Sequence, residues 1–237
     1  MLLGFSVGFS TGTFAQYLDT REALKVIKQA GCLAVELGVV RKECIEWGWL
    51  DALTAKDLDG FAYMSLHAPV MKYKNNEAVK KIFAIIGKIN ALRPLDAVVI
   101  HPCDVEDITV FGNLSFPVAF ENMDNTKPYG KTPEDVKKLI DSDPSFRFVL
   151  DVNHIKTNDP TMKLADQFYA ALGNKLTHYH VSGLGTEKPH VPLFEMHQKE
   201  IVAAIKNIDA PIICESGIHP NNIKKEKEFI EKYLERN

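Results

Sequence analysis

No stretch of this 237-residue chain approaches the roughly 20 consecutive apolar residues that cross a bilayer, so no membrane-spanning role is expected. Charge of one sign is not in excess either. With 28 Lys and Arg against 31 Asp and Glu, the formal net charge is -3, which gives no global attraction to nucleic acid or to an anionic membrane; only a local basic patch could serve such a partner. Cysteine is sparse: Cys32, Cys44, Cys103 and Cys214 are scattered without the close-pair spacing of a thiolate metal site. Free thiols in a reducing cytoplasm are expected rather than a disulfide framework. The opening MLLGFSVGFSTG has no positively charged leader and contains glycines, so it reads as a first strand rather than a signal peptide. Linkers, internal repeats and low-complexity segments are absent as well. One domain over residues 1–237 is the expectation, with ample material for one core at 46% hydrophobic residues.

What the chain does have is alternation. Strands are expected at Leu2–Ser6, Ala34–Leu37, Phe61–Leu66, Ala97–Ile100, Val118–Phe120, Phe146–Leu150, Leu176–Val181 and Pro211–Cys214. Helical patterns fall between them: from Asp19 or Thr20 to near Gly31, from Asn76 to about Leu92, a weak piece near Val105 to Phe111, and a helix with Thr132 as cap and Pro133 in its first turn. Further helices are expected from Thr161 to Leu172, from about Glu195 to Lys206, and from Asn221 to Arg236. Gly8 to Thr13 reads as a small-residue loop, and the charged KKEKEFIEKYLER as a solvated helix face. Eight short buried strands, each with a helix or room for one, predict an α/β fold of the single (β/α)8 TIM barrel type rather than a doubly wound sheet.

The ends of those runs carry the chemistry. SLHAP ends in His67, VVIHP in His101, VAFEN in Glu121, FRFVLD in Asp151 with His154 three residues on, LTHYHVSG in His180, and IICES in Glu215. In a barrel these ends converge on one face although they are far apart in sequence. Any one of them alone is more often a solvated or hydrogen-bonded loop residue. Six at corresponding places are not independent accidents. Glu121, Asp151, His180 and Glu215 would bring three carboxylates and an imidazole to one centre, an oxygen and nitrogen set that suits Zn, Mn, Co or Fe. Without a cation the carboxylates repel one another; a divalent ion removes that conflict. His67 and His101 could join Glu121 around a second ion if Glu121 bridges, so one or two ions per chain are expected. His154 and His190 would then stand near the substrate. His178 shares strand parity with His180 and could exchange roles with it. His197 is read as a surface residue and His219 as a loop residue.

This series (SLHAP, VVIHP, FENMD, LDVNH, HYHVSG, CES) resembles the xylose isomerase-like superfamily, which contains sugar and sugar-phosphate isomerases and epimerases and also endonuclease IV. For the epimerase branch the resemblance implies one metal on Glu121, Asp151, His180 and Glu215, the two glutamates also serving as acid and base, and His154 contacting substrate oxygens. For the endonuclease branch it implies His67, His101 and Glu121 on one zinc, the four-residue set on a second, and His154 with His190 on a third. That branch has an aspartate two residues before its last histidine. Here Lys188 stands in that place, and a lysine cannot replace a carboxylate ligand.

The leading expectation is therefore a divalent-metal isomerase or epimerase for a sugar or sugar phosphate, in which the ion stabilises an enediolate while Glu121 and Glu215 move a proton between carbons. His154, His190, Lys188, Arg41 and Trp47 make up the expected substrate side. The alternative is a two-metal phosphodiesterase acting on abasic-site DNA. Arg41, Trp47, Trp49 and the MKYK stretch (Met71 to Lys74) could meet phosphates or bases there, although packing is the plainer role for the tryptophans. A barrel that binds a metal or ligand without turnover is the third reading.

Overall fold

Eight parallel strands, hydrogen-bonded in sequence order, close into a barrel. In this computed structural model, which describes residues 7–40, 48, 50–187 and 189–234, they are β1 (Val7–Ser10), β2 (Ala34–Gly38), β3 (Tyr63–His67), β4 (Ala97–Ile100), β5 (Val118–Glu121), β6 (Arg147–Asp151), β7 (Leu176–Val181) and β8 (Ile212–Cys214). β1 pairs with both β2 and β8, so no edge is left open. The fold is the (β/α)8 barrel that the alternation predicts.

Several local readings change. The expected strand at Leu2–Ser6 lies outside the described residues, as do Arg41, Cys44, Trp47, Trp49 and Lys188. The described part of the first strand is Val7–Ser10, so Gly8 to Ser10, read as the start of a small-residue loop, are strand. Gly8 makes that strand possible, because a Cβ there would lie 2.0 Å from the Ala34 carbonyl oxygen of β2.

The helices form where local signals stop and start them. In α1 (Thr20–Gln29), Asp19 and Glu22 form a reciprocal capping box. The short α2 (Ala55–Leu58) is capped in the same way by Thr54 and Asp57. Asn76 caps α3 (Glu77–Leu92), whose Val79, Ile82, Ile85, Ile86 and Ile89 are buried. α4 (Pro133–Ile140) has Thr132 as cap and Pro133 in its first turn, as expected. Two one-turn 3-10 segments, Pro102–Asp104 and Ile108–Phe111, replace the weak helix expected near Val105.

β6 runs directly into α5 (Val152–Asn158), which had no counterpart among the expected elements, and α6 (Leu164–Leu172) follows. The helix expected from Glu195 to Lys206 is two pieces, α7 (Leu193–Met196) and α8 (Lys199–Ala203), divided at His197 with φ 55°. A left-handed residue terminates a helix because the next amide can no longer reach the i−4 carbonyl. α9 (Ile223–Leu234) is not solely a solvated face: Ile223, Glu226, Ile230 and Leu234 are all buried. No described helix is long and apolar enough to cross a membrane.

Alternation sorts the strand residues into two faces. One parity packs outward against the helices, where Phe120, Phe146 and Phe111 meet edge to face. The other parity fills the barrel with a cluster of small apolar residues (Ala97, Val99, Ala119, Val149) and with polar ones, including Glu36, His178 and His180. A register shift keeps β7 consistent with this. Phe148 pairs with Leu176 but Val149 pairs with His178, so Thr177 is an extra residue. Without it, a one-residue slip would turn His178 and His180 away from the interior.

Candidate metal centre

Glu121 closes β5 and divides its carboxylate between two groups. Oε1 lies 2.8 Å from His180 Nδ1. Oε2 lies 3.4 Å from His67 Nε2 and 3.4 Å from His101 Nε2, which are themselves 3.2 Å apart. Oε2 has no hydrogen-bond partner although it is buried. Burial pushes the Glu121 carboxyl up, but the His180 charge and the facing imidazoles of His101, His180 and His67 outweigh it and hold it well below the usual carboxylate range.

Asp151 closes β6 and stands beside Glu121. Asn122 clamps its backbone, with Oδ1 accepting from Asp151 N at 2.7 Å and Nδ2 donating to Asp151 O at 2.9 Å. Asp151 Oδ1 accepts from the His154 amide at 2.9 Å, while Oδ2 is buried without a partner. From just after β8, Glu215 reaches to 3.6 Å of His180 Nδ1. Burial, opposed by the His180 charge and aided by those of Glu121 and Glu36, pushes its carboxyl up to about 8.

Backbone and side-chain partners fix which ring nitrogen each histidine presents. His67 Nδ1 is 3.0 Å from the Ala68 carbonyl, and His154 Nδ1 is 2.7 Å from the Asn122 carbonyl, so both point Nε2 inward. His101 turns Nδ1 toward Asp104 at 3.6 Å. His190 meets Ser182 Oγ at 2.9 Å, and its ring stands edge-on to His154. His180 is reversed: its Nδ1 faces Glu121 and Glu215. Burial lowers the His180 pKa, but three surrounding carboxylates raise it well above the usual value.

These residues line a cavity of about 610 Å3 that includes His67, His101, Glu121, His154, His190 and Glu215. Ligand atoms of Glu121, Asp151, His180 and Glu215 all lie within 4.8 Å of one another, and so do those of His67, His101 and Glu121. The donor set fits a divalent cation: three carboxylates converge, two of their buried oxygens have no partner, and the Nε2 atoms of His67 and His101 both stand 3.4 Å from one of those oxygens, Glu121 Oε2. Six of the expected strand-end residues are thus brought together, with His154 and His190 beside them.

His178 does not exchange roles with His180; it lies deeper, 2.7 Å from Tyr63 Oη. His219 is exposed, edge-on to Tyr17, and accepts from the Asn221 amide. His197 is exposed, as expected. The MKYK lysines, in the loop after β3, are engaged by the segment that follows β4. Lys72 donates to the Cys103 carbonyl and Lys74 pairs with Glu106 at 3.0 Å, while Tyr73 is buried against Phe83 and Phe111.

Two residues of the site escaped the sequence reading. Glu36, a single acid inside the apolar run AVELG, is fully buried and lies 3.0 Å from His180 Nε2. Its position in mid-strand, not at a strand end, hid it; a carboxylate in an otherwise apolar buried strand was the available signal. Lys127 is the one Lys or Arg among the described residues lining the cavity. Nothing in the sequence distinguished it from other loop lysines.

No family model matches the chain, and no curated protein matches it. Solved structures do match. A D-tagatose 3-epimerase-like protein aligns with a TM-score of 0.69 at 16% identity, over 98% of this chain and 97% of that one. The probable 3-DHS dehydratase AsbF, involved in petrobactin synthesis in Bacillus anthracis, aligns with a TM-score of 0.67 at 15% identity, over 98% and 100%. The IolI protein with a bound zinc atom aligns with a TM-score of 0.66 at 16% identity, over 97% and 96%. The chain shares the (β/α)8 barrel fold of these proteins.

Proposed function

We propose that this barrel is a divalent-metal-dependent isomerase or epimerase acting on a sugar or sugar phosphate. The observation that carries the reading is the convergence of Glu121, Asp151, His180 and Glu215 with two buried carboxylate oxygens lacking partners, open to a cavity large enough for a monosaccharide. The four residues would hold the ion. A bound Zn, Mn or Co ion would neutralise the crowded carboxylates and polarise adjacent substrate oxygens.

Glu121 and Glu215 approach the cavity from β5 and from the loop after β8, and move a proton between neighbouring carbons of the substrate through an enediolate. His154 Nε2 and His190 orient the substrate oxygens, and Lys127 meets a phosphate where one is present. A D-tagatose 3-epimerase-like protein and a zinc-bound IolI share the fold, which is consistent with this chemistry. A probable dehydratase shares it too, so the fold alone does not choose the reaction.

The test is solvent deuterium uptake into a panel of ketoses, aldoses and their phosphates by metal-loaded protein, with a chelated control. Metal-dependent uptake into at least one sugar is expected. Its absence across the panel, with the metal shown to be bound, overturns the reading.

One observation favours a second reading. The His67, His101 and Glu121 group is a second ligand set sharing Glu121, the arrangement of a two-ion centre that clamps a phosphodiester. Chelator-sensitive cleavage of an abasic-site oligonucleotide would support it. The engagement of Lys72 and Lys74 by Cys103 and Glu106 in the segment after β4 weighs against it.

A further inference from the structure

Beneath the cavity, on the side of His180 away from Glu121 and Glu215, lies a second polar group that the proposed chemistry does not use. Glu36 projects from the middle of β2 and is fully buried. Its Oε2 accepts from Ser65 Oγ at 2.9 Å and lies 3.0 Å from His180 Nε2. His178 Nε2 is 3.1 Å from the same His180 nitrogen, and His178 Nδ1 faces Tyr63 Oη at 2.7 Å and Thr177 Oγ1 at 3.0 Å.

Counting protons gives this group one direction. A neutral imidazole has one N–H. If the Nδ1 lone pair of His180 is to face a cation, the hydrogen must sit on Nε2, where Glu36 is the nearest acceptor. His178 Nε2 can then only accept, so its own hydrogen sits on Nδ1 and is donated to Tyr63 or Thr177. Every contact has a consistent role in that arrangement. The opposite tautomer would leave the Glu36 carboxylate facing a lone pair. A further ion held by Glu36, His178 and His180 would need Nε2 stripped of its proton while Nδ1 serves the centre above, and is set aside for that reason.

We propose that Glu36 is a positioning residue for the metal centre: it accepts the Nε2 proton of His180 and so commits the Nδ1 lone pair to the cation, with His178 and Tyr63 completing the chain. This rests on the four-residue metal reading given above. A carboxylate behind a ligating imidazole fixes the ring's tautomer and orientation and raises its basicity, and loss of such a partner typically weakens metal binding about 10- to 100-fold.

The experiment compares wild type with Glu36→Gln, which keeps the volume and removes the charge. Zinc affinity is read by competition with a chromophoric chelator, histidine tautomers by long-range proton–nitrogen NMR on 15N-histidine protein, and apo stability by thermal melting. Wild type is expected to show His180 protonated on Nε2 when zinc is bound. Glu36→Gln is expected to bind zinc at least about tenfold more weakly, a loss read on folded protein whether or not the apo melting midpoint also falls. Equal zinc affinity in the two proteins overturns the proposal, as does a lower apo midpoint with zinc affinity unchanged, which is what a purely structural role would produce. An Nδ1-protonated His180 in zinc-loaded wild type overturns it without any variant. If wild type binds no zinc, the metal reading itself fails and this proposal falls with it; if wild type binds and only the variant comparison fails, the metal reading stands.

Discussion

Asp151 caps the helix that carries His154: its Oδ1 accepts the His154 amide at 2.9 Å, and its other oxygen, buried and unpartnered, faces His154 Nε2 at 3.5 Å. One carboxylate therefore sets the position of a substrate-side histidine through the backbone and has an oxygen left for an ion. The two uses can be separated by mutation. Asparagine caps a helix about as well as aspartate, so Asp151→Asn should retain α5 and apo stability but bind the metal more weakly. Asp151→Ala should lose the metal and, in addition, about 1 kcal/mol of stability from the cap. Metal content after dialysis and urea unfolding of the apo proteins check both halves; equal apo stability in Ala and Asn would remove the capping role.

His101 tests how Glu121 is shared. It contacts only the Oε2 side of that carboxylate, at 3.4 Å. His101→Ala should leave one tightly held ion per chain on Glu121, Asp151, His180 and Glu215. Glu121→Ala should release it. Elemental analysis reads the count directly, and a fall from two ions to one in His101→Ala would favour the two-ion reading. Metal retained in both Glu121→Ala and Glu215→Ala would refute the shared premise.

The buried ionisable groups give the apo protein a defined pH response. Glu215 is raised to about 8, so the folded state holds its proton more tightly than the unfolded chain, and stability falls as pH rises from the ordinary carboxylate range toward 8. His180, His67, His101 and His154 are also raised, burial lowering each but nearby carboxylates winning, and their contribution is likewise lost as pH rises through the folded values. His178 and His190, lowered by burial, oppose this. Glu121, held low, contributes above its unfolded value and loses that contribution only in acid. The apo melting midpoint should therefore decline between about pH 5 and pH 8. Because the ion competes with these protons, its stabilising effect should grow over the same window. Melting curves with metal and with chelator across this range check it; an apo midpoint that rises through the window contradicts the assignment.

Glu226 offers a test remote from the cavity. From α9 it accepts from the Leu193 and Phe194 amides at 2.9 and 3.1 Å and from Ser216 Oγ at 2.6 Å, tying the last helix to the first turn of α7 and to the loop after β8. Glu226→Ala leaves those buried donors without an acceptor and should destabilise the fold by about 3 kcal/mol. Glu226→Gln, which still offers one oxygen, should lose less. Chemical denaturation gives both numbers, and a near-neutral alanine variant would show that solvent replaces the carboxylate.

Much of the architecture is legible in the chain because alternation and capping are local. Ala97–Ile100 and Leu176–Val181 stand where their apolar runs place them, and the Thr132–Pro133 start yields its helix at the expected residue. The grouping of His67, His101, Glu121, Asp151, His180 and Glu215 could be anticipated for a similar reason. Once the strands are parallel members of one barrel, residues at their C-terminal ends share one face. Breaks that depend on a single backbone dihedral were not visible. His197 is an ordinary residue in an amphipathic pattern until its φ of 55° splits the helix. The short α5 exists because Asp151 caps it, within a stretch that reads only as the end of a strand.

The amino-acid sequence by itself determined which residue types stand at the strand ends, and with them the barrel and its crowded carboxylates. Only the tertiary structure decided how those groups are used. It turned Nδ1 of His180, but Nε2 of His67 and His154, toward the centre, and it split Glu121 between two histidine groups. It also placed Glu36, mid-strand and 144 residues away in sequence, behind His180. The reason is physical: a ring's orientation is set by the hydrogen-bond partner on its far side, and that partner is brought by the closure of the barrel and by the extra residue at Thr177, not by any neighbour along the chain.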